Sequence, residues 1–98
     1  MPVSARSFTL QFRENDAVVP IARIIEVELL DADLREQEFL TERFRARRGQ
    51  IVARDAPNLV RMLPKDRWMY LSVTGRDVMG VHRTNVVRLR VPASNHIK

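Results

Sequence analysis

The sequence predicts an α+β fold, with a single small antiparallel sheet of about five strands, or a partly open barrel, and one main amphipathic helix. Apolar and polar residues alternate over three stretches, which is the period of half-buried strands. One other stretch, Asp31 to Arg48, carries the capping and charge signals of a helix. A chain of 98 residues is long enough for one hydrophobic core, so we predict that residues 1–98 form a single domain.

Two strands are predicted before the helix. Ser7 to Arg13 alternates, with its phenylalanines on the side expected to face the core. Glu14 to Ala17 has the composition of a turn. Val18 to Leu30 is then read as a strand, because its many β-branched residues disfavour the competing helix. Residues 1–6 and 92–98 are expected to be loose termini.

The predicted helix rests on charge and capping signals. Acidic residues lie at the start of the stretch and arginines at its end, so both complement the helix dipole. Asp33 to Glu36 has the form of a capping box, and Gly49 suits the position after the last turn. The apolar stripe expected to face the sheet is Leu30, Leu34, Leu40, Thr41 and Phe44.

The signals after the helix are shorter until the last third of the chain. Gln50 to Arg54 predicts a short strand, and Asp55 to Asn58 a turn that opens one helical turn ending at Met62. Trp68 to Val91 alternates sharply and contains a turn signal at Thr74 to Asp77, so it predicts a pair of strands. One face of this pair is aliphatic, and the other carries the only Trp and the only Tyr of the chain.

Charge is distributed unevenly along the chain. The net charge is +5, from 15 Arg and 2 Lys against 12 acidic residues. Residues 1–42 have a net charge of −5 and residues 43–98 a net charge of +10. The asymmetry indicates an anionic partner for the basic part, or contacts between copies of the chain, unless both signs are simply solvated. The sequence lacks Cys, a hydrophobic signal core and a membrane-spanning run, so a cytoplasmic protein without membrane contact is expected.

Signals for catalysis and for metals are weak. His82 and His96 stand near no nucleophile motif and have no spacing that suits zinc. The carboxylates between Glu26 and Glu36 lack the spacing of a calcium loop, and the three glycines do not form a phosphate loop. We therefore predict a protein that is not an enzyme, with no catalytic residues, no metal and no cofactor.

The basic and aromatic residues predict a nucleic-acid-binding surface. Arginine and aromatic side chains on one pleated face can stack on unpaired bases while guanidinium groups hold phosphates. Two alternatives remain: the helix covers this face and makes Trp68 and Tyr70 a second core layer, and the arginines from Arg43 to Arg48 serve only as a helix end. The candidate binding residues are Arg13, Arg45, Arg47, Arg48, Trp68, Tyr70, Arg76, Arg83, Arg88 and Arg90.

Part of the chain is similar to a known family. Arg76 to Arg83, with the sequence RDVMGVHR, resembles the last strand of the carbon storage regulator family, small dimeric RNA-binding proteins of bacteria. Leu10 to Val18 is similar to that family's first strand and turn, and Ile25 to Leu29 to its third strand. The resemblance implies that Arg83 and Arg13 contact RNA, and that the fold is an intertwined dimer.

These observations leave three functional hypotheses. The leading one is a non-enzymatic regulatory protein that binds nucleic acid, RNA rather than DNA, through a basic sheet face. The second is an interaction or assembly module, such as a phage or plasmid accessory protein, whose copies form homodimers or higher oligomers through acidic and basic surfaces. The third is a small toxin-type ribonuclease that would use His82 and nearby arginines. Solvent exposure of Trp68 beside arginines would favour the first hypothesis.

Overall fold

The computed structural model describes residues 8–93, which form nine strands, one α-helix and one 3-10 turn. The helix, α1, is Ala56–Met62, and the 3-10 turn is Thr41–Arg43. The predicted loose termini lie outside the described residues, except for Pro92 and Ala93. The strands are β1 (Thr9–Leu10), β2 (Arg13–Glu14), β3 (Ala17–Val18), β4 (Ile21–Leu30), β5 (Glu36–Phe39), β6 (Phe44–Arg47), β7 (Gln50–Ala53), β8 (Trp68–Asp77) and β9 (His82–Arg90).

The strands form three antiparallel sheets. The largest has the order β5-β4-β8-β9, the second has the order β1-β7-β6, and β2 pairs only with β3. An isolated bridge between Ile21 and Gly49 links the two larger sheets at one corner. The sheets are open, and the mostly antiparallel architecture with one short helix confirms the α+β prediction at this level. A single sheet of about five strands is not confirmed.

One hydrophobic cluster lies between the two larger sheets. The alternation of apolar residues fixes which side of each strand faces it. The second sheet contributes Phe8, Leu10, Phe44 and Ile51, together with Phe12 from the connection to β2, and the edge-to-face pair of Phe8 and Phe44 has ring centroids 5.6 Å apart. The four-stranded sheet contributes Val27, Leu29, Met69, Leu71, Val73 and Leu89. The inward direction predicted for the first phenylalanines is confirmed, because both are about 1% exposed.

Two tight hairpins shape the smaller sheets. Asn15 and Asp16 connect β2 to β3, and Arg48 and Gly49 connect β6 to β7, all with positive φ. Two central residues with positive φ define the type I′ turn, whose twist matches that of the flanking strands. The turn predicted at Glu14 to Ala17 is therefore confirmed, whereas Gly49 belongs to a hairpin and not to a helix end.

The predicted helix from Asp31 to Arg48 is wrong. The structure places β5, the 3-10 turn and β6 in this stretch. The Asp31 carboxylate accepts hydrogen bonds from the backbone N–H groups of Asp33 and Arg35, at 2.9 and 3.0 Å. Leu34 has a φ of 63°, a left-handed conformation that no helix interior tolerates. The acidic start is thus a tight turn between β4 and β5, because a short carboxylate bonds to a turn as readily as to a helix start.

The predicted apolar stripe also divides differently. Leu40 and Phe44 are buried, while Leu34 is 58% exposed. From Phe44 to Arg47 the side chains alternate between the core and solvent, which is a strand period of two.

The short helix predicted to end at Met62 is confirmed as α1, with Asp55 as its cap. The turn predicted at Thr74 to Asp77 is misplaced. β8 continues to Asp77, and the chain reverses over the next four residues, 78–81.

Candidate functional site

The outer face of the β8–β9 hairpin brings four of the predicted binding residues together. Antiparallel register places Trp68 opposite Arg90 and Tyr70 opposite Arg88, so all four side chains point away from the core. The intervening residues Met69, Leu71 and Leu89 point inward and are buried. The four residues therefore form one surface group, called here the Trp68 cluster.

Cation–π contacts organise the Trp68 cluster. The guanidinium carbon of Arg88 lies 3.8 Å from the centroid of the Trp68 ring, and that of Arg90 lies 5.9 Å from it. Trp68 is 43% exposed and Tyr70 is half-buried. Arg90 also forms an exposed ion pair with Asp66 at 3.3 Å, whereas Arg88 has no carboxylate partner within residues 8–93. Arg88 is thus the arginine whose charge remains available to an anion.

Helix α1 does not cover the Trp68 cluster. Its buried residues, Ala56 and Leu59, belong to the hydrophobic cluster that also contains Met69 and Leu71. Because neighbouring residues on a strand point to opposite faces, the helix lies on the other side of the sheet from Trp68. The alternative in which Trp68 and Tyr70 form a second core layer is wrong, since Trp68 is exposed.

Charge changes sign across this sheet face. β9 contributes arginines, β8 contributes hydroxyl groups such as Ser72 and Thr74, and β4 contributes Glu26 and Glu28 opposite them. Glu36 on β5 raises the pKa of Glu28 through a shared hydrogen bond, and burial and the charges of Glu36 and Glu26 raise it further. One carboxylate oxygen of Glu28 is buried with no hydrogen-bond partner. Near Trp68 the basic side of the face is therefore confined to β9, and a second basic pair, Arg76 on β8 and Arg23 on β4, lies at the far end of the face.

Arg83 does not lie on this face. It points to the opposite side of β9, where its guanidinium forms ion pairs with Asp77, at 2.7 Å, and with Glu14. The Asp77 carboxylate also accepts the backbone N–H groups of Met79 and Val81. The Arg83 hydrogen bond is the main reason that the pKa of Asp77 is lowered, followed by the Val81 N–H, and the two carboxylates raise the pKa of Arg83. These contacts hold the end of the hairpin against β2.

Arg76 and His82 lie at the far end of the outer face. They are opposite each other in register, and the Arg76 guanidinium is 3.1 Å from Nε2 of His82. Eight residues of β8 separate Arg76 from Trp68, which is about 26 Å at roughly 3.3 Å per residue. Arg76 therefore belongs to a separate surface from the Trp68 cluster.

Arg13 lies beside β9 on the short hairpin of β2 and β3. The Asn85 side chain accepts from the backbone N–H of Arg13 at 3.2 Å and donates to its carbonyl oxygen at 2.9 Å. Next to this contact, a groove of about 590 Å³ separates β1 from β9, and both Arg13 and Arg88 line it. The groove therefore connects the position of Arg13 to the edge of the Trp68 cluster.

The remaining predicted residues lie on the other large sheet. Arg45 and Arg47 point outward from β6, and Arg48 is exposed in the turn that follows. Because the two sheets face each other across the core, these arginines do not join the Trp68 cluster. They form a second basic surface.

Sequence reasoning missed the side chains that position the cluster. Asp66 pairs with Arg90, Asn85 ties β9 to β2, and Asp77 caps the hairpin turn. Asp66 is 24 residues from its partner Arg90, and Asn85 is 72 residues from its partner Arg13. The sequence therefore carries no local signal for either contact. Asp77 did have a signal, since Asp three residues before a Gly is typical of a turn that its carboxylate closes.

The described residues show no site for a metal. Residues 8–93 contain no group of three or more His, Cys, Asp or Glu side chains that could hold an ion. Nor does any helix in this part of the chain have the length and apolar character needed to cross a membrane.

Comparisons with protein-family models, with curated proteins and with solved structures gave no match.

Proposed function

We propose that the chain is a non-enzymatic protein that binds single-stranded nucleic acid, RNA rather than DNA, through the Trp68 cluster. The observation that supports this most is an exposed indole with an arginine stacked at 3.8 Å and a second arginine at 5.9 Å. An unpaired base offers both the π-face and the phosphate that such a cluster accommodates.

The mechanism assigns a distinct role to each side chain. A base stacks on the indole of Trp68 or on the guanidinium of Arg88, while the Arg88 charge contacts a phosphate. Tyr70, opposite Arg88, adds a half-buried ring whose hydroxyl can donate to a base edge or a sugar. Arg90 shares its charge with Asp66 and so contributes less to phosphate binding.

The charge pattern also limits the path of the bound strand. Glu26, Glu28 and Glu36 on the neighbouring strands would repel phosphates that crossed the sheet. The strand is instead expected to run along β9 and over its edge into the groove shared with Arg13. Arg83 is not part of this path, because Asp77 and Glu14 already neutralise it.

The test is a binding titration with a labelled single-stranded RNA of mixed sequence at low ionic strength, followed by fluorescence anisotropy. Trp68 is the only Trp, so quenching of its emission reports contact at the cluster. Trp68→Ala is expected to weaken binding by about 1–3 kcal/mol, the usual contribution of one stacked base. Arg88→Ala is expected to weaken binding and to lower the slope of log affinity against log salt by about 0.7, as for one phosphate contact on a single strand.

Arg61→Ala is the matched control, because it removes one exposed arginine from α1, away from the cluster. Its affinity should stay close to that of the unaltered protein. Equal weakening by Arg61→Ala and Arg88→Ala would mean that net charge alone binds RNA, and no binding at low salt would remove the proposal altogether.

A further inference from the structure

The turn between β8 and β9 presents an apolar tip to solvent. Val78 is 69% exposed, Met79 is 82% exposed and Val81 is 48% exposed. Three exposed apolar side chains within four residues are unusual for a hairpin turn, which is normally polar. Residues 78–81 are called here the tip, and its exposure indicates a contact surface.

The tip is held in one conformation. Asp77 accepts from the backbone N–H groups of Met79 and Val81 at 2.9 and 3.0 Å, and the Asp77 N–H donates to the Val81 carbonyl oxygen. Gly80 takes a φ of 85°, which only glycine adopts without strain. A fixed apolar tip loses little conformational entropy on binding, which favours association.

An apolar pocket lies at the opposite end of the same strands. It has a volume of about 180 Å³ and is lined by Leu30, Met62, Leu63, Pro64 and Met69, among others. A cavity of about 150 Å³ is known to hold one benzene molecule, so this pocket is large enough for a methionine side chain. Because β4 and β8 are antiparallel, the pocket and the tip face opposite ends of the four-stranded sheet.

The charges around the two surfaces are complementary. Arg23 and Arg76 are opposite each other in register beside the tip, and neither has a carboxylate partner within residues 8–93. Asp31 and Glu38 line the pocket with one basic residue, Arg67. The two arginines beside the tip would therefore meet two carboxylates at the rim of the pocket.

We propose that the tip of one copy of the chain inserts into the pocket of a second copy, with Met79 in the pocket and Arg76 against the acidic rim. The two surfaces differ, so a pair of copies keeps one free tip, on one copy, and one free pocket, on the other. Such a head-to-tail contact forms a closed ring or an extended filament, depending on the rotation between copies. The tip lies at the far end of β8 from the Trp68 cluster, and the pocket lies near the cluster but on the other face of β8, where Met69 points.

Sedimentation velocity over a micromolar to millimolar concentration range tests the proposal. The unaltered protein is expected to show species larger than a monomer, and Met79→Asp is expected to lower the association constant by at least about tenfold. Val86→Asp is the matched control, because Val86 is 53% exposed on β9 and lies at neither surface. A monomer at all concentrations, or Met79→Asp assembling as well as the unaltered protein, would refute the proposal.

A mixing experiment tests the head-to-tail geometry directly. Met79→Asp keeps its pocket but loses the tip, and Met62→Asp, altered at a residue 37% exposed on the lip of the pocket, keeps its tip. Each variant alone should be a monomer, and a mixture should give a heterodimer and nothing larger. A symmetric contact would give no gain on mixing. Glu38→Arg, at an exposed rim position, provides a second pocket variant if Met62→Asp is unstable.

The two proposals fail independently. Met79→Asp should bind a short RNA as well as the unaltered protein, since the tip is about 30 Å from Trp68 at roughly 3.3 Å per residue of β8. Trp68→Ala should assemble as well as the unaltered protein. Loss of assembly in Trp68→Ala would contradict the assignment of the contact to the tip and the pocket.

Discussion

At the scale of single residues, two arginines on the same strand have opposite environments. Arg88 stacks on an indole and keeps a free charge, whereas Arg83 is held between two carboxylates. Five positions separate them, so they necessarily lie on opposite faces of β9. The first arrangement leaves a charge for a ligand, and the second fixes the hairpin end. Whether an arginine on a strand is available to a ligand therefore depends on which face of the sheet its side chain occupies.

The Asp77 carboxylate is expected to stabilise the fold in a pH-dependent way. Its pKa is lower in the folded protein than in the unfolded chain, so the unfolded chain binds more protons between the two values. The contribution of the Asp77 charge to the free energy of unfolding should therefore be fully present above about pH 4, the pKa in the unfolded chain. It should decrease as the pH falls through the lower pKa of the folded protein. Chemical denaturation of the unaltered protein and of Asp77→Asn at several pH values measures this difference.

The amide oxygen in Asp77→Asn can still accept both backbone N–H groups, whereas its NH₂ group cannot accept from Arg83. The comparison therefore isolates the interaction with Arg83. Asp77→Ala removes the acceptors as well and should be less stable than Asp77→Asn at neutral pH. If the stability difference between Asp77→Asn and the unaltered protein were the same at pH 3 and pH 7, the ion pair with Arg83 would not be the source of the pKa shift.

At the scale of elements, alternation was the reliable signal. Alternation over Val18 to Leu30 and from Trp68 onward predicts strands, and Val27, Leu29, Met69, Leu71 and Val73 are buried at every second position. At the start of the first stretch the pattern fails, because the chain forms two strands there and Val18 and Ile25 are exposed. The stretch from Asp31 to Arg48 was misassigned because its charges suit a helix dipole and a pair of turns equally well. The exposure of Trp68 could not be predicted either, because it depends on whether the helix predicted from Asp31 to Arg48 exists and covers that face of the sheet.

Close packing of β8 against β4 depends on Gly75. A Cβ at this position would lie 2.8 Å from Cγ2 of Ile21 and 3.1 Å from the carbonyl oxygen of Arg23. Ile21 is 1% exposed and cannot move aside without disturbing the core. We expect Gly75→Ala to destabilise the fold by about 1–3 kcal/mol.

Thermal unfolding followed by circular dichroism measures the effect, with an expected fall in midpoint of about 4–8 °C for each kcal/mol in a domain of this size. Val86→Ala, at an exposed position on the neighbouring strand, should change the midpoint little. An unchanged midpoint in Gly75→Ala would show that β4 and β8 can separate slightly at no cost.

At the scale of the whole molecule, the uneven charge of the sequence is distributed over the ends and sides of one elongated body. The described chain measures 43 × 28 × 25 Å. Acidic residues of the first half lie on β4 and β5 and beside the pocket, and arginines of the second half lie on β6 and β9, although Arg67 lines the pocket and Arg76 lies on β8. Pairing in the four-stranded sheet places acidic residues of β4 and β5, and Arg88 and Arg90 of β9, on the same outer face. Assembly through the ends of the molecule and binding along β9 therefore use different parts of the same charge pattern.

If both proposals hold, head-to-tail contact should repeat the Trp68 cluster along a chain of copies, at intervals no longer than the 43 Å extent of one molecule. The same contact brings Arg76 of one copy toward the pocket end of the next, which is also the end of β8 that carries Trp68. A long RNA would then contact successive copies, and binding of one copy would favour binding of its neighbour. A short RNA would contact a single cluster.

The expected result is cooperative binding to a long RNA and simple binding to a short one, measured by anisotropy with oligonucleotides that differ severalfold in length. Met79→Asp should remove the cooperativity on the long RNA and leave the affinity for the short RNA unchanged, because only the contact between copies is lost. Arg88→Ala should weaken binding to both. Cooperativity that survives in Met79→Asp would have to come from the RNA or from another contact between copies, and not from the tip and the pocket.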